Sequence, residues 1–434
     1  MSTAETSTPR FASREEFIAA GWAFVYFFSI LCSFYILRPV REEMGIRTGV
    51  ENFKWLYLGT FLLTILAVPT FGKVAARWPR RQMLPAVYLF FAVNLLAFYA
   101  LMRSGTITQS VAAAFFVWLS VYNIFVVSVF WSFMADIFAP EQAKRLYGPI
   151  AAGGSAGAMA GPLLTASTVK VVGIANLFLV SSALLGVAIF CIFMLSRWAQ
   201  QHGKALSAHN EKALGGSAFA GVGQTFSSRY LIAIAAFVLL LSILNTLMYF
   251  EQARLIRDAI ADSAARTQLF AKMDLAVNIV ALVTQMFIVR FLLSRLGVAL
   301  VLALLFFLNV IGFVLLAATP MLMILVAFQV FRRSTDYAVI RPAREVLFTV
   351  VSRAEKYKAK NFIDLFVFRG GDAASSWFMD WLIKIGLSTP QVAAVGVPFA
   401  ALGVGLGWYL GRQQEELQAR TAKLRAGAEG VVVA

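Results

Sequence analysis

Cysteine is almost absent from this 434-residue chain: there are two, Cys32 and Cys191, and both lie inside apolar runs. That excludes a disulfide framework and a cysteine-based zinc site. Histidine is equally scarce. His202 and His209 share one polar stretch, so no histidine is available as a base within the apolar segments. No Gly-Lys-Ser/Thr loop of the Walker type occurs, which removes ATP as a fuel though not as a passenger. Charge is sparse as well, at 14% of residues against roughly 25% in soluble domains. The opening residues MSTAETSTPRFASRE contain neither an apolar h-region nor a cleavage site, so the first apolar run is expected to be retained.

What the chain has instead is grease: 60% hydrophobic residues, 39 Phe and a mean hydropathy of +0.76. Runs of about 20 residues, enough to cross a hydrocarbon layer of about 30 Å, recur throughout. Twelve are expected: 17–39, 54–72, 83–102, 111–137, 147–169, 172–196, 229–250, 267–290, 298–317, 321–348, 362–384 and 390–411. A β-barrel needs alternating segments of about 10 residues, and unbroken runs such as FVLLLSILNTLMYF exclude it. The fold class expected is an all-α membrane protein, twelve transmembrane helices in two six-helix bundles.

A net charge of +16 invites a nucleic-acid reading, but its distribution points elsewhere. With the N-terminus cytoplasmic, the alternate loops and both tails hold 24 Lys and Arg, and the opposite loops and span ends hold 10. Positive charge gathers on the cytoplasmic side of membrane proteins, so both termini are expected inside and no nucleic acid is expected as partner.

Residues 197–228 form the longest polar interval, rich in Gly, Ser and Lys, which reads as a flexible linker. The expected organisation is a bundle over 1–199, a cytoplasmic linker over 200–227, a second bundle over 228–412 and a tail over 413–434. The halves echo each other. GKVAARWPRR after the second run answers RFLLSRLG after the eighth, and basic residues followed by a glycine pair come after both the fourth and the tenth. Two parallel six-helix repeats are the arrangement of the major facilitator superfamily. GKVAARWPRRQML also resembles that superfamily's loop G-x-x-x-D-R-x-G-R-R/K: Gly72, Arg77, Arg80 and Arg81 fit, while Ala76 and Pro79 depart.

A smaller set of charges lies within the runs, where each costs roughly 2.5–3.5 kcal/mol or more unless paired or wetted. LRPVREEMG places Arg38 and Arg41 on one helix face, either in a cavity or snorkelling to headgroups. Asn245 and Glu251 close the seventh run, with Glu251 at its edge. Arg332 and Arg333 fall near mid-membrane, and Asp336 is i+4 and i+3 from them, so neutralisation within one helix is expected; a purely structural ion-pair network is the alternative. Arg344 and Glu345 follow toward the cytoplasm. In the eleventh run Arg369 is followed by Gly370, Gly371 and Asp372, an arginine among small residues that suits an aqueous anion pathway. Span 5 carries the small residues, AAGGSAGAMAG, without the charge and reads as helix packing. Lys272, Asp274 and Asn278 are weaker candidates, and Asp136, beside Lys144 and Arg145, is a candidate cytoplasmic gate partner.

Two segments resemble the ATP/ADP translocase family of plastids and intracellular bacteria and its free-living bacterial relatives: FWSFMADIFAPEQAKRLYGPIAAGGSAGAMAGP and EKYKAKNFIDLFVFRGGDAASSW. The resemblance implies exchange of nucleoside triphosphate for diphosphate across a bacterial inner membrane, with charged residues of spans 1, 4, 7 and 11 in the mechanism. Carried over, the span 1 and span 11 lysines fall on Arg41 and Arg369 and the span 7 glutamate on Glu251; the span 4 glutamate falls near Leu119 or Ser120, where no acid stands. The expectation is an alternating-access carrier, not an enzyme. Arg41, Glu251, Arg332, Arg333 and Arg369 would bind an anionic, nucleotide-like solute. Arg38, Asp136, Asp336 and Asp372 would be gating or charge partners. Membrane lipid and the solute are the expected partners, the chain is expected to be a monomer, and neither cofactor nor metal is expected. Two rivals stand beside this: a carrier of another bulky anion, such as a cell-wall precursor or lysophospholipid, and a non-transporting sensor or partner subunit on the same scaffold.

Overall fold

The computed structural model describes residues 14–78, 80–105, 108–201 and 220–432. Most of the expected linker 200–227, including both histidines, lies outside them, and so do the side chains of Gly72, Arg77, Arg80 and Arg81. Every regular element among the described residues is helical. The chain runs through α1 (Arg14–Thr48), α2 (Phe53–Arg77), α3 (Arg80–Arg103), α4 (Gln109–Ile137), α5 (Pro140–Gln201) and α6 (Ala220–Ser227). It continues through α7 (Arg229–Ala259), α8 (Ser263–Val283), α9 (Val289–Ala318), α10 (Leu322–Thr335), α11 (Arg341–Leu347), α12 (Arg353–Phe362), α13 (Phe368–Lys384) and α14 (Thr389–Val432).

Helix is the only way for such apolar sequence to satisfy its backbone internally in lipid. Seven helical segments of the described residues are long and apolar enough to cross a membrane: Arg14–Thr48, Gln82–Arg103, Gln109–Ile137, Pro140–Gln201, Arg229–Ala259, Ser263–Ala318 and Thr389–Thr421. The chain is an integral membrane protein. Two of its helices are interrupted within. Gly173 in α5 (φ 79°) and Gly297 in α9 (φ 72°) adopt the left-handed backbone that glycine reaches without steric cost. The 62 residues of α5 would otherwise make a rod of about 93 Å. The segments 321–348 and 362–384 are divided more finely. π-helical turns at Asp336–Ile340 and Ile363–Val367 split them, and a third, Thr284–Ile288, joins α8 to α9.

The chain forms two compact units. The first comprises Met1–Arg41, Ala67–Val111 and Trp118–Asn210. Its core is set by the small-residue face of α5. A Cβ on Gly153 or Gly157 would collide with the α1 carbonyls of Phe24 and Phe28, and one on Gly161 would stand 2.7 Å from Tyr35 Cβ. Only glycine lets the two backbones approach this closely. Hydroxyls buried in that core find one another. Tyr26 donates to Tyr88 (2.7 Å), Tyr88 donates to the Val126 carbonyl (3.0 Å), and Ser33 shares protons with Tyr122 (2.9 Å) and Ser181 (2.6 Å). An unpaired hydroxyl there costs roughly 1–3 kcal/mol.

The second unit comprises Glu42–Leu66, Ala112–Val117 and Glu211–Ala434. Here the small face belongs to α14: Gly396 and Gly403 admit the rings of Phe313 and Phe306, and Gly407 and Gly411 admit the α9 backbone at Leu302 and Ala299. The first turn of α2 packs within this unit through aromatic rings. Phe53 lies 5.4 Å from Tyr249 and 5.1 Å from Phe250, and Trp55 lies 5.1 Å from Trp377.

Candidate functional site

Three groups of charged residues are assembled in the second unit. The first centres on Glu43, in the last turns of α1, with no solvent exposure. Arg266 of α8 grips its carboxylate from two nitrogens, at 2.6 and 2.8 Å, Ser263 donates to it at 2.6 Å and Arg47 at 3.1 Å. The remaining Arg266 nitrogen donates to the carbonyls of Ile260 and Ala261, which binds the α7–α8 turn into the same knot. The second centres on Asp380 of α13, which accepts from Lys54 of α2 at 2.7 Å and pairs with Lys384 at 3.1 Å. The Lys54 ammonium also lies 5.2 Å from the centre of the Trp377 ring.

The third group lines a cavity of about 500 Å³, within the 300–1,000 Å³ range of small-molecule sites. All three π turns contribute to it: Gln285 from the first, Asp336 and Tyr337 from the second, Asp364 from the third. Gln285 donates to the Tyr337 carbonyl at 3.3 Å and so ties two of these turns together. Such turns are frequent at functional sites because the extra residue re-aims the side chains that follow. Arg341, Arg344 and Arg369 point into the space, and so do Asp336, Glu345 and Asp364. Arg344 pairs with Asp364 at 3.1 Å, Arg341 with Asp336 at 3.6 Å, and Lys360 holds both oxygens of Glu345 at 2.6 and 2.7 Å. Arg341 also stacks over Tyr337, 4.3 Å from the ring centre. Arg369 lies 3.8 Å from Asp372, whose other oxygen accepts from Ser242 at 2.6 Å. Gly371 makes this possible, since a Cβ there would meet Ser242 Oγ at 3.0 Å and Leu239 at 2.9 Å.

Of the residues singled out from sequence, Arg369, Asp336, Arg344 and Glu345 line this cavity, and Asp372 pairs with Arg369. Arg332 and Arg333 do not line it. Arg332 is 9% exposed and donates to Gln329 at 2.8 Å and to Asn245, while Gln329 donates to Gln252 at 2.6 Å. Arg333 pairs with Asp274 at 2.6 Å. Asp336, where the π turn begins, pairs with Arg341 and stays within electrostatic reach of Arg332, as expected within one helix. Glu251 is fully buried in α7, 3.0 Å from Arg254, and does not line this cavity.

In the first unit Arg41 donates to Ser120 at 3.3 Å, and the Arg38 guanidinium lies 5.7 Å from the Tyr35 ring centre. Asp136 is within electrostatic reach of Tyr147. The residues not singled out from sequence were Glu43, Arg47, Lys54, Arg266, Arg341 and Asp380. One signal was visible for Lys54: a lone cation at the head of an otherwise apolar run, FKWLYLGTFLLTIL. No group of three or more His, Cys, Asp or Glu suited to a metal ion occurs among the described residues.

No curated protein matches the sequence. Solved structures match the fold. An aspartate-to-alanine mutant of the nucleoside transporter NupG is similar over 91% of this chain and 98% of its own, with 14% identity and a TM-score of 0.65. The POT family transporter PepTSo is similar over 93% and 98%, with 11% identity and a TM-score of 0.64. A bacterial homologue of the iron transporter ferroportin, in an inward-facing state, is similar over 93% and 100%, with 14% identity and a TM-score of 0.62. At these identities the likeness establishes the fold alone. The sequence model of the Major Facilitator Superfamily matches residues 17–332. Taken with the membrane-length helices and the helix-lined cavity, that match places this chain in the Major Facilitator Superfamily of membrane transporters.

Proposed function

We propose that the chain is an alternating-access secondary carrier that binds an oxyanion-bearing solute in the cavity of the second unit. It has twelve spans in two halves, 1–199 and 228–412, joined by the linker 200–227, and sits in a bacterial inner membrane with both termini cytoplasmic. The long α5 and the α8–α9 segment each supply two crossings, broken at Gly173 and Gly297. In this orientation the Glu43 and Lys54 groups lie at the outer face and tie the tips of α1 and α2 to α7, α8 and α13. The arginine-lined cavity lies toward the inner face.

The observation that carries this reading is the convergence of Arg341, Arg344 and Arg369 on one 500 Å³ space. Guanidinium groups bind phosphate and carboxylate through paired N–H donors. Arg369 also falls where the resembled nucleotide translocases have their span 11 lysine, so nucleotides are the first solute class to test. A second reading, a smaller phosphorylated or carboxylate solute, is favoured by one observation: Arg41 donates to Ser120, near which the resemblance would put the span 4 acid (at Leu119 or Ser120) and where no acid stands. The experiment is counterflow in proteoliposomes preloaded with unlabelled nucleotide, glycerol phosphate or amino acid. Accumulation of a labelled solute against its matching preload supports the carrier. Absence of counterflow with every preload leaves a non-transporting sensor or partner subunit.

A further inference from the structure

The cavity arginines do not offer bare positive charge. Three arginines and three carboxylates line the space, and the carboxylates are shared out among nearby cations. Asp336 stands by Arg341, Asp364 by Arg344, and Glu345 by Lys360. Asp372, behind the wall, stands by Arg369. Arg341, Lys360 and Glu345 also lie within electrostatic reach of Asp364, so the site is one connected network of alternating sign.

A net potential near zero decides which solutes fit. A solute with several negative charges gains nothing from long-range attraction here, and each arginine it takes leaves a carboxylate behind. Taking one partner from a pair leaves the other charge with water alone, a modest loss for side chains as exposed as these but one that a solute of single sign does not make good. A cation alone leaves the arginines behind in the same way. A neutral solute gives neither charge a reason to open its pair. A solute carrying both signs replaces each partner with its own, so no charge is stranded.

The pairs are also placed to open. The Arg341 and Asp336 side chains are 63% and 26% exposed, those of Arg344 and Asp364 19% and 35%. The Arg341–Asp336 separation of 3.6 Å is already longer than a charge-assisted hydrogen bond of about 2.7–2.9 Å. Arg344 keeps one donor, Nε, buried without a hydrogen-bond partner. Tyr337 and Phe368 complete the wall with aromatic surface.

We infer that this cavity binds a zwitterion, its oxyanion taken by Arg341 and Arg344 and its cationic nitrogen by Asp336 and Asp364, each displacing the internal partner. The inference rests on the cavity being the carrier's solute site. It is tested on the full-length protein in detergent by calorimetry with five probes of matched or contrasting charge. They are phosphoethanolamine and β-alanine (zwitterions), sn-glycerol 3-phosphate (anion), ethanolamine (cation) and ATP (polyanion).

The expected result is that one zwitterion binds about tenfold or more tightly than glycerol phosphate or ethanolamine, the difference one added charge-assisted hydrogen bond makes. Which zwitterion wins tells phosphate from carboxylate. In the Asp364→Asn variant the order should invert, because the freed Arg344 favours the pure anion while the ammonium loses its acceptor. Should that variant not fold, the wild-type ranking alone decides. Tighter binding of ATP or glycerol phosphate would overturn the zwitterion while leaving an oxyanion carrier standing. Tightest binding of ethanolamine would overturn both, and so would no binding of any probe, since each carries a charge this lining is arranged to meet.

Discussion

Glu43 and Arg266 meet through two parallel hydrogen bonds, 2.6 and 2.8 Å long, with the carboxylate wholly buried. They stand 223 residues apart, one on the last turns of α1 and the other on the first turn of α8. The Arg266 guanidinium is held flat by its other contacts to the Ile260 and Ala261 carbonyls. Removing one partner of such a pair costs about 3–5 kcal/mol, whereas replacing both by apolar residues is often near neutral. Arg266→Gln should therefore lower the melting temperature in detergent markedly, and Glu43→Leu with Arg266→Leu should recover most of the loss. Purely additive losses in the double variant would show that the two do not act as a unit.

Lys54 and Lys384 share Asp380 but should contribute unequally. The Lys54 side chain is 11% exposed and that of Lys384 65%. A solvent-exposed pair is worth about 0–1 kcal/mol, so Lys384→Met should be nearly silent. Lys54→Met should destabilise clearly, and the reversed pair Lys54→Asp with Asp380→Lys should regain part of it. Equal melting shifts for the two lysine variants would contradict this division.

Arginines inside and outside the cavity should separate by what their loss affects. Arg333→Met leaves Asp274, 3% exposed, without its 2.6 Å partner and should reduce stability by about 3 kcal/mol. Arg341→Met removes a 63% exposed guanidinium and should leave the melting temperature almost unchanged while weakening solute uptake. Parallel melting and counterflow measurements check this. A stability loss at Arg341 as large as that at Arg333 would assign both to the scaffold.

Glycines of α5 should differ in the same direct way. A Cβ at Gly157 meets the Phe28 carbonyl and the Cys32 nitrogen, backbone atoms that cannot turn aside, while one at Gly186 meets nothing within 4 Å. Gly157→Leu should destabilise by about 1–3 kcal/mol or more. Gly186→Ala should be neutral or stabilise by roughly 0.5–1 kcal/mol, since glycine is a poor helix former. Thermal unfolding of the two variants, side by side, is the check.

The two glycines that break α5 and α9 show how far local sequence reaches. A twelve-span reading requires turns near residues 170 and 297, and Gly173 and Gly297 stand there with positive φ. The π turns had a weaker signal. Asp336–Ile340 and Ile363–Val367 contain no proline or glycine themselves, though Pro342, which lacks an N–H, follows the first and Gly370 and Gly371 follow the second. Their effect on the site is large. In an unbroken helix Arg333 and Arg344, eleven residues apart, would share a face after about three turns. With the π turn between them, Arg333 meets Asp274 and Arg344 faces the cavity.

Sequence alone determined what depends on composition and local chemistry. The chain must be helical, because apolar runs without water satisfy their backbone only that way; it must span a membrane; and its few intramembrane charges must find partners, because isolated ones are too costly. Which partners they find was decided by the tertiary structure. Glu43 with Arg266, Lys54 with Asp380 and Arg333 with Asp274 are separated by 223, 326 and 59 residues. No helical periodicity relates positions so distant. An arginine has no preference among carboxylates beyond distance and access, so its choice waits until packing has brought one of them within about 3 Å.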